Sequence, residues 1–102
     1  MNFNKMPTLH IGDIEVEIPI VQGGMGVGIS LSNLTSAVAN AGGIGVIATP
    51  GIGQFEPDYH TNPREANTRA LRNVIRKAKA KTKAGGIIGV NVMVALSNFD
   101  DL

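Results

Sequence analysis

The sequence predicts an α/β fold, a parallel sheet whose strands alternate with helices, preceded by a small β-hairpin. Three observations predict it. Ile44 to Thr49 is a continuous apolar run without alternation, as expected of a strand covered on both faces. Two stretches carry apolar residues at helical spacing, and each is closed by a glycine pair, Gly42-Gly43 and Gly85-Gly86. The order of elements is then hairpin, β, α, β, α, β and the start of another α, which calls for right-handed crossovers between parallel strands.

Leu9-His-Ile, Gly12-Asp13 and Ile14-Glu-Val-Glu-Ile18 alternate apolar and polar residues around a turn, the pattern of a hairpin with one wet face. Pro19 lacks a donor for a ladder bond, so it starts the next strand or lies in the bend before it. That strand covers Val21 and Gln22 and ends in glycines at 23, 24, 26 and 28. Ser30 or Ser32 caps the first helix, whose stripe is Leu31, Leu34, Ala37, Val38 and Ala41. After the strand 44–49, residues 50–61 form a long loop, and loops of this length in compact domains tend to be functional lids. Asn62 at N-cap, Pro63 at N1 and Glu65 at N3 open the second helix with a capping-box arrangement. Its stripe is Ala66, Ala70, Leu71, Val74, Ile75 and Ala78. Ile87 to Val94 is the third parallel strand, and Asn98–Leu102 is the first turn of a further helix. The inner face of this sheet is expected to include Ile20, Ile47, Ile87 and Gly89, open to water until further strands oppose them.

Composition narrows the class. At 102 residues, 43% apolar and 17% charged, the chain has the balance of a globular domain or part of one. It has no Cys, so disulfides and thiolate metal sites are excluded and a cytoplasmic setting is favoured. No apolar run is long enough for a membrane span, and the polar first residues do not make a secretory signal. No metal-ligand spacing, nucleophile elbow or Walker loop is present. Net charge is +1, yet eight of the nine basic residues lie between Arg64 and Lys83. An anion- or nucleic-acid-binding face on helix 64–83 is one reading of that cluster. The charges fall opposite the apolar stripe and no aromatics interleave with them, so a solvated outer face is the stronger reading.

The chemistry-bearing residues sit at the carboxyl ends of the predicted strands, where α/β proteins place their ligands. Gln22 and the loop Gly23-Gly24-Met25-Gly26 offer backbone that can approach a flat ring or a phosphate with no Cβ in the way. The same residues also read as a tight strand-to-helix turn, with Met25 filling core. Along the third strand, Ile88, Val90, Val92 and Val94 share the face that packs under helices, and Gly89, Asn91 and Met93 share the other. An interior Asn91 must satisfy its amide, either on neighbouring backbone or on a ligand such as the polar edge of a flavin. Gly43-Ile-Gly-Val-Ile-Ala48 matches G-x-G-x-x-A but opens a strand instead of following one, so it is no dinucleotide fingerprint. His60 lies in the long loop on the ligand side and His10 in the hairpin; neither has a visible partner.

Gln22-Gly-Gly-Met25, Asn40-Ala-Gly-Gly-Ile-Gly-Val46 and Gly89-Val-Asn-Val-Met93, in that order and spacing, resemble the nitronate monooxygenase (2-nitropropane dioxygenase-like) flavoproteins. The flavin-dependent enoyl-acyl-carrier-protein reductases are their close relatives. The resemblance spans residues 19–93 and implies a TIM-type (β/α)₈ barrel that binds FMN at the carboxyl ends of its strands. By position, Gln22, Gly23, Gly24 and Met25 would lie at the flavin, and Asn91 would be the strand-three Asn that hydrogen-bonds it. A full barrel takes ~250 residues. Residues 1–102 would be the amino-terminal part of one such domain, about three of eight strands, and the family's catalytic His would lie beyond Leu102. The implied activity is oxidation of alkyl nitronates by O₂, with NAD(P)H-driven enoyl-thioester reduction as the alternative. Its partner would be a small-molecule substrate, with no nucleic acid and no membrane. Alone, residues 1–102 would be inactive and prone to self-association through open sheet edges.

Overall fold

The computed structural model describes residues 6–93. Strands β1 (Leu9–Ile11) and β2 (Ile14–Val16) pair antiparallel, with Leu9 opposite Val16 and a two-residue turn at Gly12-Asp13. The second strand is shorter than the alternation suggests, because the chain bends at Glu17 to reach Pro19. Only Val16 of this hairpin is buried; Ile11 and Ile14 remain exposed.

The parallel layer is built on β3 (Ile44–Ala48) and β4 (Ile87–Asn91), in register from Ile44 beside Ile87 to Ala48 beside Asn91. On the other side of β3, the segment 20–22 forms a parallel bridge at Val21. Ile44 N–H donates to the Ile20 carbonyl at 2.9 Å, and Gln22 N–H donates to the Ile44 carbonyl at 3.0 Å. The first predicted parallel strand is therefore present as this one bridge, cut short by Pro19 before it and the glycines after it.

Helix α1 (Ser32–Asn40) lies between the bridge and β3 in sequence and packs on β3. Neither candidate serine caps it. Leu31 occupies the N-cap without a side-chain bond, and Ser30 turns inward instead. Its buried face is also rotated from the expected stripe: Thr35, Ser36 and Ala39 are buried, while Ala37 and Ala41 are exposed. The cause is close backbone approach. A Cβ on Gly45 would lie 1.9 Å from the Thr35 carbonyl oxygen, so small side chains face the sheet there. The helix ends as predicted, with Gly42 at φ 104° after Ala41. Gly43 N–H donates to the Val38 carbonyl and Gly42 N–H to the Ala39 carbonyl, the paired bonds of a Schellman end.

Helix α2 (Pro63–Lys81) has Asn62 at its N-cap and Pro63 at N1, as its sequence signals require. The Asn62 side chain makes no cap bond, so the capping box itself does not form. The apolar stripe is where periodicity puts it. Ala70 and Ala78 join Ile47 and Ile52 in the buried core, with Leu31, Leu71, Val74, Ile75 and Ile88 packed against them. Ile47 corrects one expectation: it is wholly buried under the helices, not on the inner face. The inner side carries Ile44 and Val46, whose methyls lie against the face of Gly89. Strand alternation makes the outcome binary, since one residue of offset moves a side chain to the opposite face. Val94 and the predicted helix start at 98–102 lie outside the described residues.

Candidate functional site

Three segments converge at the carboxyl end of the parallel layer: the glycine loop after Gln22, the loop after β3, and the end of β4. Gln22 fixes the first. Its Oε1 accepts from Val46 N–H at 3.0 Å, and its Nε2 donates to the Val46 carbonyl at 3.1 Å, to Ser30 Oγ at 2.8 Å and to the Gly23 carbonyl at 3.1 Å. The amide thus continues the sheet as a short surrogate strand after the backbone has turned away. Its groups are engaged within the protein, which makes Gln22 a residue that positions the loop.

Ser30 closes the same loop from its far end. Its buried Oγ also accepts from Met25 N–H at 2.9 Å, its own N–H donates to the Met25 carbonyl at 2.8 Å, and its carbonyl accepts from Ala48 N–H at 3.0 Å. Sequence reasoning assigned Ser30 to a helix cap and missed this role. The available signal was Ser30's place at the end of a glycine loop, where a small hydroxyl can satisfy buried backbone donors.

Between these anchors, residues 23–29 are exposed. Gly24 lies directly on Asn91: a Cβ there would stand 2.7 Å from Asn91 Cβ and 3.0 Å from Cγ. A Cβ on Gly23 would meet nothing within 4 Å, and its φ lies outside the left-handed region. Met25 is 44% exposed, so it does not fill the core of the described chain. The half-buried Asn91 has its backbone carbonyl bound by Thr49 Oγ1 at 2.8 Å and by Thr49 N–H at 3.4 Å. Its side-chain amide has no hydrogen-bond partner among the described residues. Gln22, Gly23, Gly24, Met25 and Asn91 are therefore gathered at one end of the sheet, in two roles. Gln22 is bonded inward, whereas the Asn91 amide and the open side of Gly23 are not engaged by any other described residue.

The loop after β3 runs beside the glycine loop. A Cβ on Gly26 would lie 3.6 Å from Pro50, one on Gly51 3.1 Å from Val27, and one on Gly28 3.3 Å from the Phe55 ring. The loop is a chain of tight turns, with bonds from Ile52 N–H to the Thr49 carbonyl, Gln54 to Gly51, Glu56 to Gly53 and Tyr59 to Glu56. Asn67 Oδ1 accepts from Gly53 N–H at 2.8 Å, and Arg69 binds Glu56 Oε1 at 3.0 Å and also Asp58. It is a braced rim in place of the free lid its length suggests. The Arg69 hydrogen bond holds the Asp58 carboxyl below its ordinary range, and Asp58 and Glu56 raise the Arg69 guanidinium.

His60 is exposed and lies edge-on to Tyr59, with ring centroids 5.5 Å apart; His10 is exposed on the hairpin. Of the basic residues of 64–83, Arg69 braces the rim, and Lys81 binds Ser32 Oγ and Asn33 Oδ1 on α1. Among the described residues, no group of three or more His, Asp or Glu is placed to hold a metal ion, and no helix is long and apolar enough to cross a membrane.

The family model for nitronate monooxygenase matches residues 8–102. The chain belongs to the nitronate monooxygenase family. No curated protein matches it. Members of this family are flavin-dependent oxidoreductases; toward the open end of the sheet the described residues present uncharged groups. The site offers uncharged, exposed backbone at 23–25, an Asn91 amide that no other described residue engages, and a position, Gly23, where a Cβ would enter open space.

Proposed function

We propose that residues 1–102 are the amino-terminal part of an FMN-binding (β/α)₈ barrel that oxidises alkyl nitronates with O₂ in the cytoplasm. The observation that carries this reading is the apposition of Gly24 and Asn91, which sets a half-buried amide, unpartnered among the described residues, beside bare backbone at the carboxyl end of a parallel sheet. A flavin supplies the redox chemistry when bound, while the protein orients it and tunes its ring. In this reading the Asn91 amide bonds the polar edge of the ring, residues 23–25 lie against its plane, and Gln22 and Ser30 hold those residues in place. The exposed Val21, which pairs with Ile44, and the half-buried Val46, Ile87 and Gly89 then face the barrel interior, whereas Ile20 falls on the opposite face. The catalytic His falls outside this chain.

The test uses the full-length protein. It should be yellow, release FMN on denaturation, and consume O₂ with an alkyl nitronate in the absence of a nicotinamide. Asn91→Leu should weaken FMN binding by about 1–3 kcal/mol, the usual cost of an unpaired buried polar group, and shift the flavin absorption. A colourless protein that FMN cannot reconstitute would sink the reading. Bleaching of the flavin by NADH or NADPH, without nitronate turnover, would replace it with enoyl-thioester reduction.

A further inference from the structure

Phe55 is the most exposed of the large apolar residues described, at 78%, yet the backbone on both sides of it is tied down. Gly53 N–H is held by Asn67 Oδ1, and a Cβ at Gly53 would collide with Asn67 N at 2.6 Å, so the loop is seated on the start of α2. One residue after Phe55, Glu56 is held by Arg69, which also binds Asp58. Only Gln54 and Phe55 project between these anchors, and both reach the glycine loop. Gly28 would place a Cβ 3.3 Å from the Phe55 ring and 3.7 Å from Gln54 Nε2.

An exposed aromatic alone needs no explanation. This one is presented by a braced two-residue tip, and it continues a row of exposed apolar residues on the neighbouring loop, Met25, Val27 and Ile29. From Ile18 to Ser32 the chain has no charged residue. The face made by Phe55 and the glycine loop is thus apolar, with the charges of the rim drawn to Arg69, and it borders the segment that carries the proposed ring contacts. A polar substrate head would be handled at the ring, and whatever extends from it toward this rim must be apolar.

We propose that Phe55 is a substrate-contacting specificity residue, the outer wall for the alkyl or aryl substituent of the compound oxidised. Its role is selection among substrates by the size of their apolar part. Each methylene buried against the wall strengthens binding, whereas the chemistry at the polar head is unchanged. The proposal rests on the flavin-site reading above.

The experiment uses full-length protein loaded with FMN and unreactive straight-chain carboxylates of two to eight carbons, which carry the charge and planarity of a nitronate head. Binding is followed by perturbation of the flavin absorption band. Wild-type affinity should rise with chain length, toward the limit of about fourfold per methylene set by full burial. Phe55→Ala should flatten that rise, leaving acetate affinity and FMN content unchanged and weakening the longest acid at least tenfold. Phe55→Leu should restore most of the slope. Phe55 is no member of the buried core of the described residues, and FMN content checks the fold of each variant directly. Equal slopes in Phe55→Ala and wild type, with FMN retained by both, would overturn the proposal alone. A wild-type protein that takes up no FMN would overturn the functional reading together with it.

Discussion

The side chain of Gln22 pairs with the backbone of Val46 through two hydrogen bonds, at 3.0 and 3.1 Å, in the donor–acceptor pattern of an adjacent strand. The glycine loop leaves the sheet one residue too early for its own backbone to satisfy Val46, and the amide covers the gap. Loop and sheet are thereby held in one fixed relation, on which the position of residues 23–25 depends.

Gln22→Leu should therefore leave the half-buried Val46 N–H and carbonyl without partners. The expected loss is about 1–3 kcal/mol in the stability of the full-length protein, with weaker FMN binding. Gln22→Glu keeps the acceptor for Val46 N–H but sets a carboxylate oxygen against the Val46 carbonyl, so it should not rescue. Chemical denaturation with and without FMN measures both effects. Wild-type stability in Gln22→Leu would mean that the pairing is incidental.

Gly23 and Gly24 make opposite predictions. A Cβ on Gly24 would stand 2.7 Å from that of Asn91, so Gly24→Ala should displace Asn91 and lower both stability and FMN affinity. A Cβ on Gly23 meets only open space, so Gly23→Ala should leave stability of the FMN-free protein unchanged to within about 0.5 kcal/mol while FMN affinity falls at least tenfold. Thermal unfolding without cofactor, set beside FMN titration, separates the two. Unchanged FMN affinity in Gly23→Ala would show that no ring approaches that backbone.

The fold was legible wherever local chemistry decides it. The glycine at Gly42, Pro63 at the start of α2, the stripe from Ala66 to Ala78 and the parallel pairing of residues 44–48 with 87–91 follow from propensity and period. What was not legible depended on distance between segments. Ser30 caps no helix because Met25 and Gln22 reach it first, and Thr35 faces the sheet because Gly45 allows contact there. The gathering of the site residues followed from strand order alone. The inward use of the Gln22 amide did not, since nothing in Ile20-Val-Gln-Gly says that Val46 will need a partner. Arg69 was invisible for the same reason: only the folded rim brings Glu56 and Asp58 to one guanidinium.

That rim should respond to acid. The Arg69 hydrogen bond lowers the folded-state value of Asp58 beneath its ordinary 3.8, so the bound form is the carboxylate. Its contribution is fully present above that ordinary value and is lost as pH falls through the lower folded value. Arg69 is raised and stays charged throughout, adding no titration of its own. At neutral pH, Arg69→Met and Asp58→Asn should both speed amide exchange across residues 54–61. Wild-type protection should fall toward that of Asp58→Asn in acid, after correction for intrinsic exchange. The effect is confined to the loop, because a partly solvated ion pair at the surface adds little to global stability. Equal protection at neutral pH in all three proteins would show that the turns alone hold the rim.

Thr35 provides the test of packing against polarity. It is wholly buried between α1 and β3, and its Oγ1 is a buried side-chain oxygen without a hydrogen-bond partner among the described residues. Burying a hydroxyl without a partner costs free energy, whereas a methyl of the same shape does not. Thr35→Val keeps the β-branched outline and should leave stability unchanged or raise it by up to about 1 kcal/mol, against the usual destabilising direction of core changes. Gly45→Ala puts a methyl 1.9 Å from the Thr35 carbonyl oxygen, which only separation of helix and strand can relieve. It should cost several times as much, on the order of 3 kcal/mol or more, since overpacking in a close-packed layer shifts backbone. Denaturant midpoints of the two full-length variants decide the matter. If Thr35→Val instead destabilised the protein by more than about 1 kcal/mol, the hydroxyl would have a bonded partner after all, and the seam between α1 and β3 would be polar by design.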